Sequence, residues 1–166
     1  MSRIFTLAIV LACLCCAAPA ATHDVVYGTF EAPDDFVFKK TGTIDSFMGT
    51  LTRESDGFTI DFDIGGMAGT HMHPGKRDAA ILFRTHKVNG NFAWTGIETK
   101  DGQKTITTTI YDAGERSQRR EKIPKNPAAP ANFWAVFKNE TQLADFLLIV
   151  STYQPKAPGP PAAAKP

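Results

Sequence analysis

Cysteine is absent from this sequence after residue 16. The chain has 166 residues and three cysteines, and all three lie inside an apolar N-terminal run. A protein that loses this run has no disulfide, no thiol nucleophile and no cysteine ligand for zinc. Its stability must then come from a hydrophobic core, and a chain of this length is large enough to form one.

A strong excess of charge of either sign is also absent. The chain carries 18 Lys and Arg against 17 Asp and Glu, which gives a formal net charge of +1. Loss of Arg3 with the N-terminal run makes the net charge zero. This balance argues against a nucleic-acid partner or an anionic membrane surface. No later apolar run is long enough to cross a bilayer, so we predict no transmembrane segment after signal cleavage.

The N-terminus has the pattern of a secretory signal peptide. A basic residue precedes an apolar run over residues 4–16, and residues 18–20 read Ala-Pro-Ala, an A-x-A cleavage signature. We therefore expect residues 1–20 to be removed and the protein to be exported, to the periplasm or outside the cell. A lipid-anchored form is the less favoured alternative, because Leu11 fills a position before Cys13 where a lipoprotein cleavage box has a small residue.

Most of the remaining sequence has the period of β-strands. Residues 57–64 alternate apolar and polar side chains, which predicts a strand with one buried and one solvated face. Asn89-Gly90 and Asp101-Gly102 are dipeptides typical of type I′ turns, and they predict a three-stranded meander. The predicted strands cover residues 24–30, 35–40, 43–53, 57–64, 79–88, 91–99, 103–111 and 132–139.

The end of the predicted domain has a helical signature. Asn139 and Gln142 have the spacing of a capping box, and apolar residues follow at helical intervals, which predicts a helix over 140–151. The fold expected for residues 21–154 is a single mostly β domain, an antiparallel barrel or a two-sheet sandwich of about eight strands with one C-terminal helix. Residues 155–166 are rich in proline and alanine, which predicts a disordered tail.

The stretch "GGMAGTHMHPGKRD" (65–78) holds the candidate metal ligands. If it is extended, His71 and His73 point to one side. Two imidazoles with the Asp78 carboxylate could hold a divalent metal such as zinc. His86 is a further candidate ligand, as is Asp61 or Asp63 on the neighbouring strand. The glycine content favours a different interpretation, a mobile loop whose imidazoles face solvent.

The meander supplies a second candidate site, because its turns fix the register and the register fixes which side chains share a face. One face carries the candidate ligand-binding residues Arg84, His86, Thr95 and Thr108 among aliphatic side chains. Apolar walls with a few polar groups are typical of small-molecule sites, and Arg84 could bind a ligand carboxylate. The opposite face carries Phe83, Phe92, Trp94 and Tyr111. Because aromatic side chains favour burial, the favoured interpretation is that this face is the core and that Arg84 and His86 are solvated.

Three classes of function are open on this sequence. We favour a non-enzymatic binding module whose partner is a small-molecule ligand or an envelope protein. A metal-binding protein or metal-dependent enzyme using His71 and His73 is the alternative. The third class is an envelope interaction protein acting through residues 114–125, the basic part of a long loop predicted over 112–131, and through the C-terminal tail.

Overall fold

The computed structural model describes residues 20–42, 46–65, 68–111 and 131–156. Within these ranges the protein is mostly β, with ten strands in two antiparallel sheets and one α-helix near the C-terminal end. The larger sheet does not close on itself, so the sandwich is the predicted architecture that is observed. The described helices include none that is long and apolar enough to span a membrane. Most of the predicted signal peptide and the basic segment 114–125 lie outside the described residues.

The smaller sheet contains three strands in the order β1-β2-β10, namely β1 (Ala20–Val25), β2 (Gly28–Pro33) and β10 (Gln154–Pro155). The larger sheet contains seven strands in the order β3-β4-β5-β9-β8-β7-β6. They are β3 (Phe36–Gly42), β4 (Phe47–Arg53), β5 (Phe58–Ile64), β6 (Leu82–Val88), β7 (Asn91–Lys100), β8 (Gln103–Tyr111) and β9 (Ala131–Phe137). The helix α1 spans Glu140–Ser151, and a short 3-10 helix spans Pro74–Ala79.

The predicted meander of β6, β7 and β8 is confirmed, including its register. Thr95 pairs with Arg84 on one side and with Thr108 on the other, as the two turns require. Asn89 and Asp101 have φ angles of 46° and 53°, the left-handed conformation that type I′ turns need at their first central residue. The turn dipeptides therefore determined the alignment of three strands.

The prediction of a single strand over residues 24–30 is wrong. The chain turns after Val25 and pairs that residue with Gly28, so β1 and β2 form a hairpin. No Asn-Gly or Asp-Gly dipeptide marks this turn, which is why the sequence pattern did not reveal it. Pro155 also pairs with Gly28 in β10, so the described β-structure continues one residue into the predicted tail.

The main core fills the space between the two sheets and α1. Alternate residues of β5 face it, as their spacing predicts, and Phe62 contacts Phe30 with ring centroids 5.3 Å apart. The meander face that carries Thr95 and Thr108 also faces this core. Its aromatic face is therefore not the main core. A smaller cluster of Met72, Trp94 and Tyr111 covers part of that face, so this part of the sheet is buried on both sides.

The helix α1 is fixed over the sheet by its cap and by an arginine. Asn139 caps it, because its Oδ1 accepts a hydrogen bond from the Gln142 N–H at 2.9 Å. The Arg53 guanidinium donates to both carboxylate oxygens of Asp56, at 3.0 and 2.9 Å, and to Asp145 of the helix at 2.6 Å. The same guanidinium holds the pKa of Asp56 well below its usual range. These contacts set the position of the helix relative to β4 and β5.

Candidate functional site

A pocket of about 400 Å³ lies where the meander meets α1. This volume falls within the roughly 300–1,000 Å³ of small-molecule sites. Its lining residues are His86, Lys87, Val88, Asn89, Thr95, Thr108, Leu147, Val150 and Ser151. Three of the four residues predicted for ligand binding, His86, Thr95 and Thr108, therefore line one pocket. Arg84, the fourth, is an exposed residue of β6 that does not line it.

Thr95 and Thr108 place two hydroxyl groups at the buried part of this pocket. They are direct partners on β7 and β8, and their hydroxyl oxygens lie 2.7 Å apart. The two residues are only 5% and 0% exposed. A hydroxyl can donate one hydrogen bond and accept two, so the pair still has one donor and several lone pairs for a further partner. Buried hydroxyls of this kind can orient a bound molecule.

His86 lies on the edge strand β6, at the exposed side of the pocket. Desolvation by surrounding protein atoms lowers the pKa of His86 below its ordinary value of 6.5, and a hydrogen bond with the Arg84 backbone opposes this only in part. This shift favours the neutral imidazole. In this form it offers one hydrogen-bond donor and one acceptor.

The turn between β6 and β7 is attached to the end of α1 beside the pocket. The Asn89 side-chain amide donates to the backbone carbonyls of Ser151 and Tyr153, at 3.0 and 2.8 Å. On the helix, Val150 is buried while Leu147 is 45% exposed. The pocket thus combines an apolar wall from α1 with polar groups from the meander.

The residues of the histidine stretch lie on the opposite face of the large sheet, where hydrogen bonds hold the segment 68–73. The buried Asn132 side chain accepts from the His71 N–H at 3.1 Å and donates to the carbonyls of the first two residues of the segment, at 3.2 and 3.3 Å. The Met72 N–H donates to the Thr109 hydroxyl at 2.8 Å. The expectation of a mobile loop with solvent-facing imidazoles does not describe this anchored segment.

The predicted metal ligands do not come together. The His71 ring packs against Trp134, with ring centroids 4.7 Å apart. His73 caps the 3-10 helix, where its Nδ1 accepts from the Gly75 N–H at 3.2 Å, and Asp78 is exposed on that helix. No group of three or more His, Cys, Asp or Glu side chains within the described ranges is placed to hold a metal ion. Metal binding by this set of three residues stays a prediction.

Asp63 is the polar residue that sequence reasoning misplaced. The alternation of β5 put it on a solvated face, yet it is only 8% exposed, because the segment 68–73 covers that part of the sheet. Its Oδ1 is buried without a hydrogen-bond partner. Asp63 also interacts electrostatically with His71, whose pKa is lowered by desolvation and raised in part by this carboxylate. The sequence did contain a signal for this burial: the Asp-Phe-Asp of β5 is followed directly by a glycine-rich segment, which can fold back over the strand.

Comparisons with known proteins do not assign this chain to a family. No protein-family model matches it, and no curated protein sequence matches it. The fold and the site define a class only, a β-sandwich with a pocket between one sheet and the C-terminal helix. Function must therefore be argued from the chemistry of the site, because a sandwich fold is compatible with many activities.

Proposed function

We propose that this protein is an exported, non-enzymatic binding module that takes a small molecule into the pocket between the meander and α1. The observation that carries the proposal is the pocket itself, which has the volume of a ligand site and contains the paired hydroxyls of Thr95 and Thr108. The N-terminal signal pattern supports export.

The lining residues favour a ligand that is partly apolar and neutral or anionic. Val88, Leu147 and Val150 offer aliphatic surface, while the threonine pair offers hydrogen bonds. Among the residues that line the pocket, Lys87 is the only permanently charged one. A carboxylate or another anionic group is therefore favoured over a cationic one.

The same residues support binding rather than catalysis. Nucleophilic catalysis needs a hydroxyl or thiol that is activated by a neighbouring base. The Ser151 hydroxyl donates to the Leu148 carbonyl at 2.6 Å, and the two threonine hydroxyls bond to each other. None of these bonds orients a hydroxyl toward His86.

Two neighbouring leucines of α1 provide the test. Leu147 lines the pocket, whereas Leu148 does not, and the two are 45% and 57% exposed. Leu147→Trp should therefore fill the pocket, and Leu148→Trp should add the same side chain to the helix without reaching it. Both changes leave the buried face of α1 intact.

The measurement is ligand-observed NMR of the mature protein with a library of small carboxylic acids bearing aliphatic or aromatic groups. We expect wild type and Leu148→Trp to bind the same compounds and Leu147→Trp to lose them. Equal binding by the two tryptophan variants would place the ligand elsewhere. A library without any bound compound would refute the anionic ligand class. Native mass spectrometry of the protein purified from its own export compartment checks for an organic adduct with the same dependence on Leu147.

A further inference from the structure

We propose that Asp63 and His71 form a binding site for a divalent transition-metal ion such as Zn²⁺, with water completing the coordination. This site lies on the face of the large sheet opposite the pocket. It is independent of the proposed function. It keeps two of the candidate ligands that the sequence suggested, His71 and Asp63, and leaves out His73 and Asp78.

The first observation is the state of the Asp63 carboxylate. The residue is 92% buried, since 8% of it is exposed, and its Oδ1 has no hydrogen-bond donor among the described residues. Asn132, its partner on β9, donates instead to the Asp63 backbone carbonyl at 3.4 Å. A buried carboxylate oxygen without a donor is costly, so its burial is explained if a cation binds there.

The second observation is the placement of His71 on the same face of the sheet, where its N–H is bonded to Asn132, the cross-strand partner of Asp63. The His71 N–H is held by Asn132 and its ring is packed on Trp134, so the backbone and the ring are both oriented before any ligand arrives. Desolvation lowers the pKa of His71, and the negative charge of Asp63 raises it in part. No hydrogen bond to either ring nitrogen of His71 is present within the described part of the chain, whereas His73 uses its Nδ1 in the helix cap.

The donor types decide which cation fits. A carboxylate oxygen and an imidazole nitrogen are the ligands that zinc and its first-row neighbours share, whereas calcium and magnesium prefer oxygen alone. The carboxylate is too enclosed for a large organic cation, while a metal ion needs little space. Lys76 is the positive charge that interacts with His71. Its charge should repel the metal ion and weaken binding, so removal of this charge should raise the affinity.

The experiment is a titration of the metal-free mature protein with ZnCl₂ by calorimetry, and with NiCl₂ by tryptophan fluorescence. The Trp134 ring next to His71 should be quenched by nickel, and Trp134→Phe should remove that signal. The test variants are Asp63→Asn and His71→Gln. The matched controls are Asp61→Asn, on the same face of β5, and His73→Ala, two residues along the segment.

We expect one Zn²⁺ per chain in the wild type and in both controls. Each test variant should lower the affinity by at least about tenfold, and Lys76→Gln should raise it. Zinc should raise the Tm of wild type but not of Asp63→Asn, and Asp63→Asn alone should remain folded because it removes a buried charge. Absence of saturable binding at millimolar zinc would overturn the proposal. Binding that depends on His73 or Asp61 rather than on Asp63 would overturn it too.

Discussion

The side chain of Asn132 is the best single place to test how the histidine segment is held. It is fully buried on the central strand β9, and its amide bonds to the segment 68–73 from both of its ends. Asn132→Ala removes these bonds and leaves the former partners without replacements. The change should release the segment while the main core, on the other side of the sheet, stays packed.

The magnitude follows from the bonds that are lost. The Asn132 Oδ1 accepts from the His71 N–H at 3.1 Å and from the Thr109 hydroxyl at 2.7 Å, whereas the bonds from its Nδ2 are longer, at 3.2 to 3.4 Å. Each well-formed bond contributes about 1 kcal/mol, and each buried partner left unpaired costs about 1–3 kcal/mol. Since the released segment can take up water, we expect Asn132→Ala to lower the free energy of unfolding by about 2–4 kcal/mol.

Urea unfolding followed by circular dichroism measures this free energy. Native-state hydrogen exchange of the His71 and Met72 amides reports whether the segment opens locally before the sheet unfolds. Thr109→Val, which deletes one hydroxyl from the same network, should give a smaller effect in the same direction. Thr85→Val, at an exposed position of β6, is its matched control. A loss below about 1 kcal/mol with unchanged exchange of the two amides would refute the anchoring role.

Three other perturbations test separate parts of the fold. The His23 ring stacks on Phe38 with ring centroids 5.1 Å apart, and burial lowers the pKa of His23 below 6.5, so the unfolded chain takes up its proton first. The free energy of unfolding should therefore fall as the pH drops below about 6.5, and His23→Phe should flatten that decline in urea midpoints. Met72→Ala leaves a cavity at a fully buried position and should lower the free energy of unfolding by about 2–5 kcal/mol. An unchanged Tm would contradict a stabilising role for the cluster of Met72, Trp94 and Tyr111. In Gly49→Ala the new Cβ overlaps the Phe62 ring, so a loss of about 1–3 kcal/mol by thermal unfolding is expected, and a neutral result would show that the ring moves aside.

The parts of the fold that could be predicted are those in which nearby residues determine the structure. Asn89-Gly90 and Asp101-Gly102 define the geometry of the meander because left-handed conformations are available to these residues at little cost. Asn139 marks the start of α1 because its side chain satisfies a free N–H of the first turn. The hairpin of β1 and β2 has no such marker, and the Tyr153 ring that packs over its Gly28 comes from the far end of the domain sequence.

In the candidate sites, too, the features set by nearby residues could be predicted and those set by distant residues could not. Thr95 and Thr108 could be placed side by side from the register alone, and both line the pocket. The other wall of that pocket comes from α1, whose packing no local pattern specifies. The burial of Asp63 also depends on a residue that is distant in the sequence, because the segment 68–73 that covers Asp63 is hydrogen-bonded to Asn132 of β9. Alternation along a strand assigns faces but does not tell which face another part of the chain will cover.

The small sheet joins the two ends of the described chain, because β2 lies between β1 and β10. Residues 28 and 155 are neighbours there, and Tyr153, next to that last strand, contacts Phe133 in the main core with ring centroids 5.6 Å apart. Contacts between such distant residues require the closure of a long loop, which slows folding. A chain whose final strand has not yet been synthesised therefore cannot complete its core. Such a chain leaves one edge of β2 unpaired and Phe133 without the Tyr153 ring.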